Sequence, residues 1–113
     1  MSDEKKPALP LSMFRRIGTT VYIAGHGVPT AGDTLEAQMR ATMEQFAQTL
    51  AAAGVTHADI VMVRGYVQNA ADLPTYNRLY REFFSEPYPA RTTIVNCLPP
   101  GLLFEIDAVA EGK

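Results

Sequence analysis

The sequence predicts an α+β fold in which two helices cover one face of a β-sheet, in the order ββαβαββ. Three observations predict it. Short runs rich in β-branched and aromatic residues stand at both ends and in the middle of the chain, as strands do. Two longer segments between them repeat their apolar residues at helical spacing. The whole is 113 residues, a length that suits one domain.

After a charged, proline-containing segment over residues 1–12, read as a flexible lead-in, Met13–Ile17 reads as a short strand. Gly18-Thr19 turns the chain into Thr20–Ala24, and Gly25-His26-Gly27 ends that strand. Asp33 or Thr34 is placed to cap a helix reaching about Ala53, with Leu35, Met39, Thr42, Met43, Phe46 and Leu50 on one face and Gly54 as its stop. Ile60–Val67 is the third strand. A second helix follows Asn69–Asp72 and runs to about Phe84, burying Tyr76, Leu79, Tyr80 and Phe83, until Pro87 and Pro89 forbid continuation. Thr92–Leu98 and Leu102–Ala110 are the last strands, joined through a turn at Pro99-Pro100-Gly101.

Two helices cover only one face of such a sheet, so the other face calls for a partner subunit. Strand phase agrees: Phe104, Ile106 and Ala108 suit the helix side, whereas Leu103, Glu105, Asp107 and Val109 point away. Arg91, Thr93, Val95 and Cys97 share a face of their own strand.

Composition narrows the class. With 47% hydrophobic residues, 19% charged and a net charge of −2, the chain is ordinary for a globular protein. Its arginines are scattered rather than massed in the basic stripe of a nucleic-acid reader, so no nucleic-acid partner is expected. One cysteine, Cys97, excludes an intrachain disulfide and a cysteine metal cluster. Cys97 reads as a small buried strand residue. His26 and His57 share no metal-ligand spacing, so no metal is expected. The Gly25-His26-Gly27 stretch lacks a phosphate-loop pattern. No apolar run reaches the ~20 residues of a membrane span, and Met1–Lys6 has no apolar stretch of a leader; a cytoplasmic location is the expectation.

Two residues carry the chemistry. Arg91 opens one apolar strand and Glu105 lies inside the next. A hairpin between those strands would set them on neighbouring backbones. A guanidinium grips a carboxylate through two parallel hydrogen bonds. A carboxyl group in an apolar setting, its pKa raised, serves as base and then acid. The competing reading for Arg91 is a structural ion pair, with Glu105 itself or across the interface; for Glu105 it is a satisfied polar group in a subunit interface. Asp107 reads as structural or solvated, and His57 as surface. His26, between two glycines, either lines a cleft or is an exposed turn residue. Tyr22, Tyr66 and Tyr88 read as packing residues, with Tyr88 also in reach of a cleft at Arg91.

The chain resembles the Rid family, the YjgF/RidA-like proteins. The resemblance covers Gly18 to Val109: the early strand Gly18–Gly25, a first helix from Leu35-Glu36-Ala37-Gln38 to Gly54, Asn77, Tyr80 and Phe83 in the second helix, then Pro89-Ala90-Arg91 and Glu105-Ile106. The resemblance implies a chorismate-mutase-like fold with a mixed sheet, a homotrimer with intersubunit clefts, and hydrolysis of 2-aminoacrylate-like enamines and 2-imino acids to 2-keto acids and ammonia without a cofactor. It implies that Arg91 binds the substrate carboxylate and Glu105 positions water, with backbone groups near Gly25 and Thr93 completing the site. Tyr88 and His26 are further candidate contacts by their own positions, not by the resemblance. Leu11 stands near the place of the family's N-terminal tyrosine, Thr93 stands for a cysteine, and Ala24 for a small polar residue. A non-catalytic protein binding small carboxylates or a protein partner is the alternative. Ribonuclease activity, reported for some relatives, fits the near-neutral, patch-free charge poorly.

Overall fold

The computed structural model describes residues 9–112, so residues 1–8 of the expected lead-in lie outside the described residues. Its elements are β1 (Phe14–Ile17), β2 (Thr20–His26), α1 (Leu35–Ala53), β3 (Ile60–Val67), α2 (Leu73–Phe83), β4 (Ala90–Val95) and β5 (Phe104–Glu111). The order is ββαβαββ, and α1 and β3 have the expected bounds. Thr34 rather than Asp33 caps α1: its side chain accepts from Ala37 N. Gly54 ends the helix at φ 78°, a left-handed conformation that costs a side chain dearly. Arg16 adds a second stop, its guanidinium donating to Ala53 O over 2.9 Å.

The five strands lie in the order β1-β2-β5-β3-β4. Only β3 and β4 run parallel; the other pairs are antiparallel, so the sheet is mixed. The expected hairpin between β4 and β5 does not form. A parallel neighbour needs a crossover, and α2 supplies one between β3 and β4. The chain then returns to place β5 between β2 and β3, and β3 separates the strands that carry Arg91 and Glu105.

Both helices pack on one face, over a core that includes Val21, Met39, Phe46, Leu50, Val63, Val67, Tyr76, Leu79, Phe104 and Ile106. The other face, bearing Tyr22, Met62, Arg64, Tyr66, Glu105, Asp107 and Val109, has no helix over it among the described residues. Tyr22 is 51% and Met62 43% exposed there.

Four boundaries shift by two residues or more: β4 starts at Ala90, paired with Met62, rather than at Thr92, and three others move for a local reason. The second strand continues through Gly25 and His26, where three residues of β2 span two of β5: Ile23 is opposite Ala108 and His26 opposite Ile106. That extra residue is a β-bulge. β4 ends at Val95 because Asn96 takes φ 61°. β5 starts only at Phe104 because the backbone of Leu103 bonds to side chain and loop instead: its N–H donates to Gln38 Oε1 over 2.8 Å, and its carbonyl accepts from Gln68 N over 3.1 Å.

Candidate active site

Glu105 sits in the middle of the sheet, on the face without helices, opposite Tyr66 of β3. Its carboxylate lies against the backbone of Gly25, in the space a Cβ there would fill. The bulge in β2 brings that glycine over β5, and only a residue without a side chain allows the approach. Partial burial raises the Glu105 pKa above the usual carboxylate range; the negative charge of Asp107 raises it further, and His26 opposes both. Among the described residues no side chain donates a hydrogen bond to it. A partly buried, unpaired carboxyl group with a raised pKa is equipped to take and return a proton.

Asp107, two residues along the same face, is in the contrasting state. It accepts from Arg64 Nε over 2.9 Å and from the Tyr66 hydroxyl over 2.7 Å. Tyr66 is pushed up to about 12, by burial first and then by the Asp107 hydrogen bond and charge, so it remains a donor. Asp107 is thus structural, while Tyr66 is a hydrogen-bonding as well as a packing residue.

Arg91 and Thr93 lie elsewhere. Arg91 is in register with Val63 and Thr93 with Gly65, and these positions face the helices. The Arg91 guanidinium carbon stands 4.9 Å from the Tyr76 ring centroid and 4.7 Å from that of Tyr80, a cation–π cradle made by α2. The Tyr76 hydroxyl lies 3.2 Å from Thr93 Oγ1 and occupies the space a Cβ on Gly65 would need. Burial raises both tyrosines, Tyr80 to about 12, so neither becomes an anion that would pair with Arg91 near neutral pH. No carboxylate among the described residues pairs with Arg91. Tyr88 is 44% exposed at the mouth of this group, its ring 6.4 Å from that of Tyr80. Nothing in the sequence signalled the part played by Tyr76; its helical phase announced only a core residue.

The expectation that a hairpin sets Arg91 and Glu105 on neighbouring backbones is therefore corrected. Arg91 is level with Ala108 through Val63, three residues from Glu105 along β5 and two strands across. Those steps put their Cα atoms roughly 14 Å apart, and the side chains leave opposite faces. Within one chain the same geometry rules out a structural ion pair between them.

His26 also moves. Simple alternation would turn Gly25 toward the helices; the bulge turns His26 there instead, leaving it 2% exposed. Its Nδ1 donates to Ala24 O over 2.7 Å, Nε2 bonds to Thr49 Oγ1 at 2.8 Å, and the ring packs edge-on to Phe46. It backs Gly25 from the helix side rather than projecting beside Glu105. His57, expected at the surface, is half-buried between Phe46 and Phe84, and burial lowers its pKa. Cys97, expected in a strand interior, is exposed beyond the end of β4.

Among the described residues no three His, Cys, Asp or Glu side chains converge as metal ligands. No helix among them is long and apolar enough to cross a membrane.

Known proteins share this architecture and sequence. The sequence model of the family described as "Endoribonuclease L-PSP" matches residues 1–112. A RutC family protein of Pyrococcus horikoshii is 34% identical over 113 residues, covering 93% of this chain and 89% of that one. A protein of Dermatophagoides farinae named 2-iminobutanoate/2-iminopropanoate deaminase is 31% identical over 92% of this chain and 87% of its own length. The crystal structure of a YjgF family member from Mycobacterium tuberculosis superposes with a TM-score of 0.81 at 32% identity, covering 89% of this chain and 86% of that one. With a family match over nearly the whole length and relatives above 30% identity, this chain belongs to the Rid (YjgF/RidA, RutC, endoribonuclease L-PSP) family.

Proposed function

We propose that this protein is an enamine/imine deaminase that hydrolyses 2-aminoacrylate-like 2-imino acids to 2-keto acids and ammonia. The observation that carries the reading is an arginine without a carboxylate partner among the described residues, held on two tyrosine rings at a sheet edge. The deaminase name of the Dermatophagoides relative supports the reaction class.

Arg91 receives the substrate carboxylate in a bidentate pair, with backbone groups of Thr93 and Gly25 completing the grip and Tyr88 closing over it. Fixing the carboxylate removes translational freedom and sets the imine carbon for attack. Glu105 accepts a proton from water as the water oxygen bonds to that carbon and the C=N π electrons move to nitrogen. It then returns the proton to nitrogen to give the carbinolamine; as the C–N bond breaks and the C=O bond forms, Glu105 takes the hydroxyl proton and passes it to the departing nitrogen, releasing the keto acid and ammonia. The raised pKa of Glu105 suits both halves of this exchange.

Since Arg91 and Glu105 leave opposite faces of one sheet, the site is completed between chains. The β4 edge of one copy meets the uncovered face of the next, in a homotrimer of the chorismate-mutase-like type. Such an assembly also buries the apolar side chains of that face.

Ammonia and keto-acid release from imines generated in situ by an amino-acid oxidase tests the proposal. Wild type is expected to exceed the spontaneous rate, and both Arg91→Ala and Glu105→Ala to lose roughly 100-fold or more of that acceleration. No acceleration by the folded wild-type assembly across a panel of imines would overturn the reading and leave carboxylate binding as the function.

A further inference from the structure

A pocket of about 240 Å3 opens between α2 and the start of β4, lined by Asn77, Tyr80, Arg81, Tyr88, Pro89 and Arg91. Two arginines line it from different elements. Arg91 comes from the edge strand, backed by Tyr76 and Tyr80. Arg81 comes from the last turn of α2, tethered among the described residues only by a long 3.4 Å hydrogen bond to Asn77 O.

The state of these two cations contrasts with their neighbours. On the adjoining surface Arg78, one turn before Arg81, is paired with Glu36 at 3.2 Å and Glu82 at 3.6 Å. Arg40 is paired with the same two glutamates. Carboxylates are thus supplied along the α1/α2 seam, yet among the described residues none pairs with Arg81 or Arg91. Like charges converging on one pocket repel, and an anion within it relieves that repulsion.

A ligand with one carboxylate fills one guanidinium fork and leaves the second cation unanswered. We propose that this pocket takes a dianion: a 2-imino acid whose side chain ends in a second carboxylate, with the 2-carboxylate on Arg91 and the distal one on Arg81. Between the two charges, Tyr80, Tyr88 and Pro89 offer an apolar wall for the intervening methylene groups. Arg81 is then the specificity-determining residue. This inference rests on the reading of Arg91 as the carboxylate anchor.

The test measures binding separately from turnover. The keto acids 2-oxoglutarate and oxaloacetate, each with two carboxylates, are titrated calorimetrically against 2-oxobutanoate, with one, at fixed ionic strength. The expected result is that a dicarboxylate binds wild type at least about tenfold more tightly, ~1.4 kcal/mol. That ratio is expected to fall to near unity in Arg81→Gln and to persist in part in Arg81→Lys, which keeps the charge but not the fork. Equal affinities in wild type, a preference that survives Arg81→Gln, or no binding of any of the three at millimolar concentration would overturn the proposal.

Imine hydrolysis is assayed in parallel. Charge selectivity that depends on Arg81, without hydrolysis of any imine, would uphold the dianion site and sink the deaminase reading. Hydrolysis without charge selectivity would do the reverse.

Discussion

A carboxylate oxygen of Glu105 lies where Gly25 would carry its Cβ, so one methyl group is enough to move the proposed base. The obstructed atom is the end of a flexible side chain, which swings away at little cost to the fold. Gly25→Ala is therefore expected to lower kcat/KM by about tenfold or more, as a displacement of about 1 Å does, with little change in melting temperature. A melting point that collapses along with activity would mean that the glycine serves the fold instead. Glu105 makes a second prediction through linkage. Its folded pKa is raised above 4.5 by burial and by Asp107. The folded protein thus holds this proton more tightly than the unfolded chain, and stability is lost as pH rises through the interval above 4.5. Glu105→Gln does not titrate, so it is expected to melt above wild type at pH 8, with the gap closing toward pH 4. Thermal melts across that range check the sign. Arg91 and Glu105 themselves were legible as residue types; the Tyr76–Thr93 contact was not, because a tyrosine at a core position of a helix looks alike whether its hydroxyl is used or idle.

Among the elements, α1 was the most legible because its period, cap and stop are all local. Its buried Gln38 was not. It is 1% exposed and bonds to two loops at once: Nε2 donates to Gly32 O over 2.9 Å and to Gly101 O over 3.0 Å, while Oε1 accepts from Leu103 N over 2.8 Å. By holding Leu103 it fixes where β5 begins, and hence the placement of Glu105 two residues on. Gln38→Ala leaves these backbone groups without their partner and is expected to cost ~2 kcal/mol or more. Urea unfolding would measure it; a loss under half that would show that water replaces the amide. The bulge in β2 was equally hidden. Gly25 and His26 were read as the end of a strand, when one extra residue there reverses which of them faces the core.

At the scale of the whole molecule, the described residues present an uncovered sheet face and an arginine-bearing edge. If the site joins one chain's Arg91 to another's Glu105, inactive variants complement each other. Equal mixing of Arg91→Ala and Glu105→Ala chains, by joint refolding, is expected to restore roughly a quarter of wild-type activity, because half the chains offer each residue at every interface. Recovery of none would place the whole site within one chain. Tyr22 and Met62, both exposed on the uncovered face, supply the companion test. The double variant Tyr22→Glu, Met62→Glu puts charges into the proposed interface and is expected to yield monomer by light scattering.

The residue pattern by itself determined the seven elements and the one-sided helix cover, and it singled out the two residues proposed for the charge chemistry, because period, capping and turn residues act over a few positions. The tertiary structure decided how those elements meet: β5 inserted between β2 and β3, the bulge that turns His26 inward and lays Gly25 against Glu105, and the opposite faces taken by Arg91 and Glu105. Side-chain direction alternates locally along each strand, but which strands pair, and in what register, is set by contacts between distant parts of the chain that the pattern of any one segment does not contain.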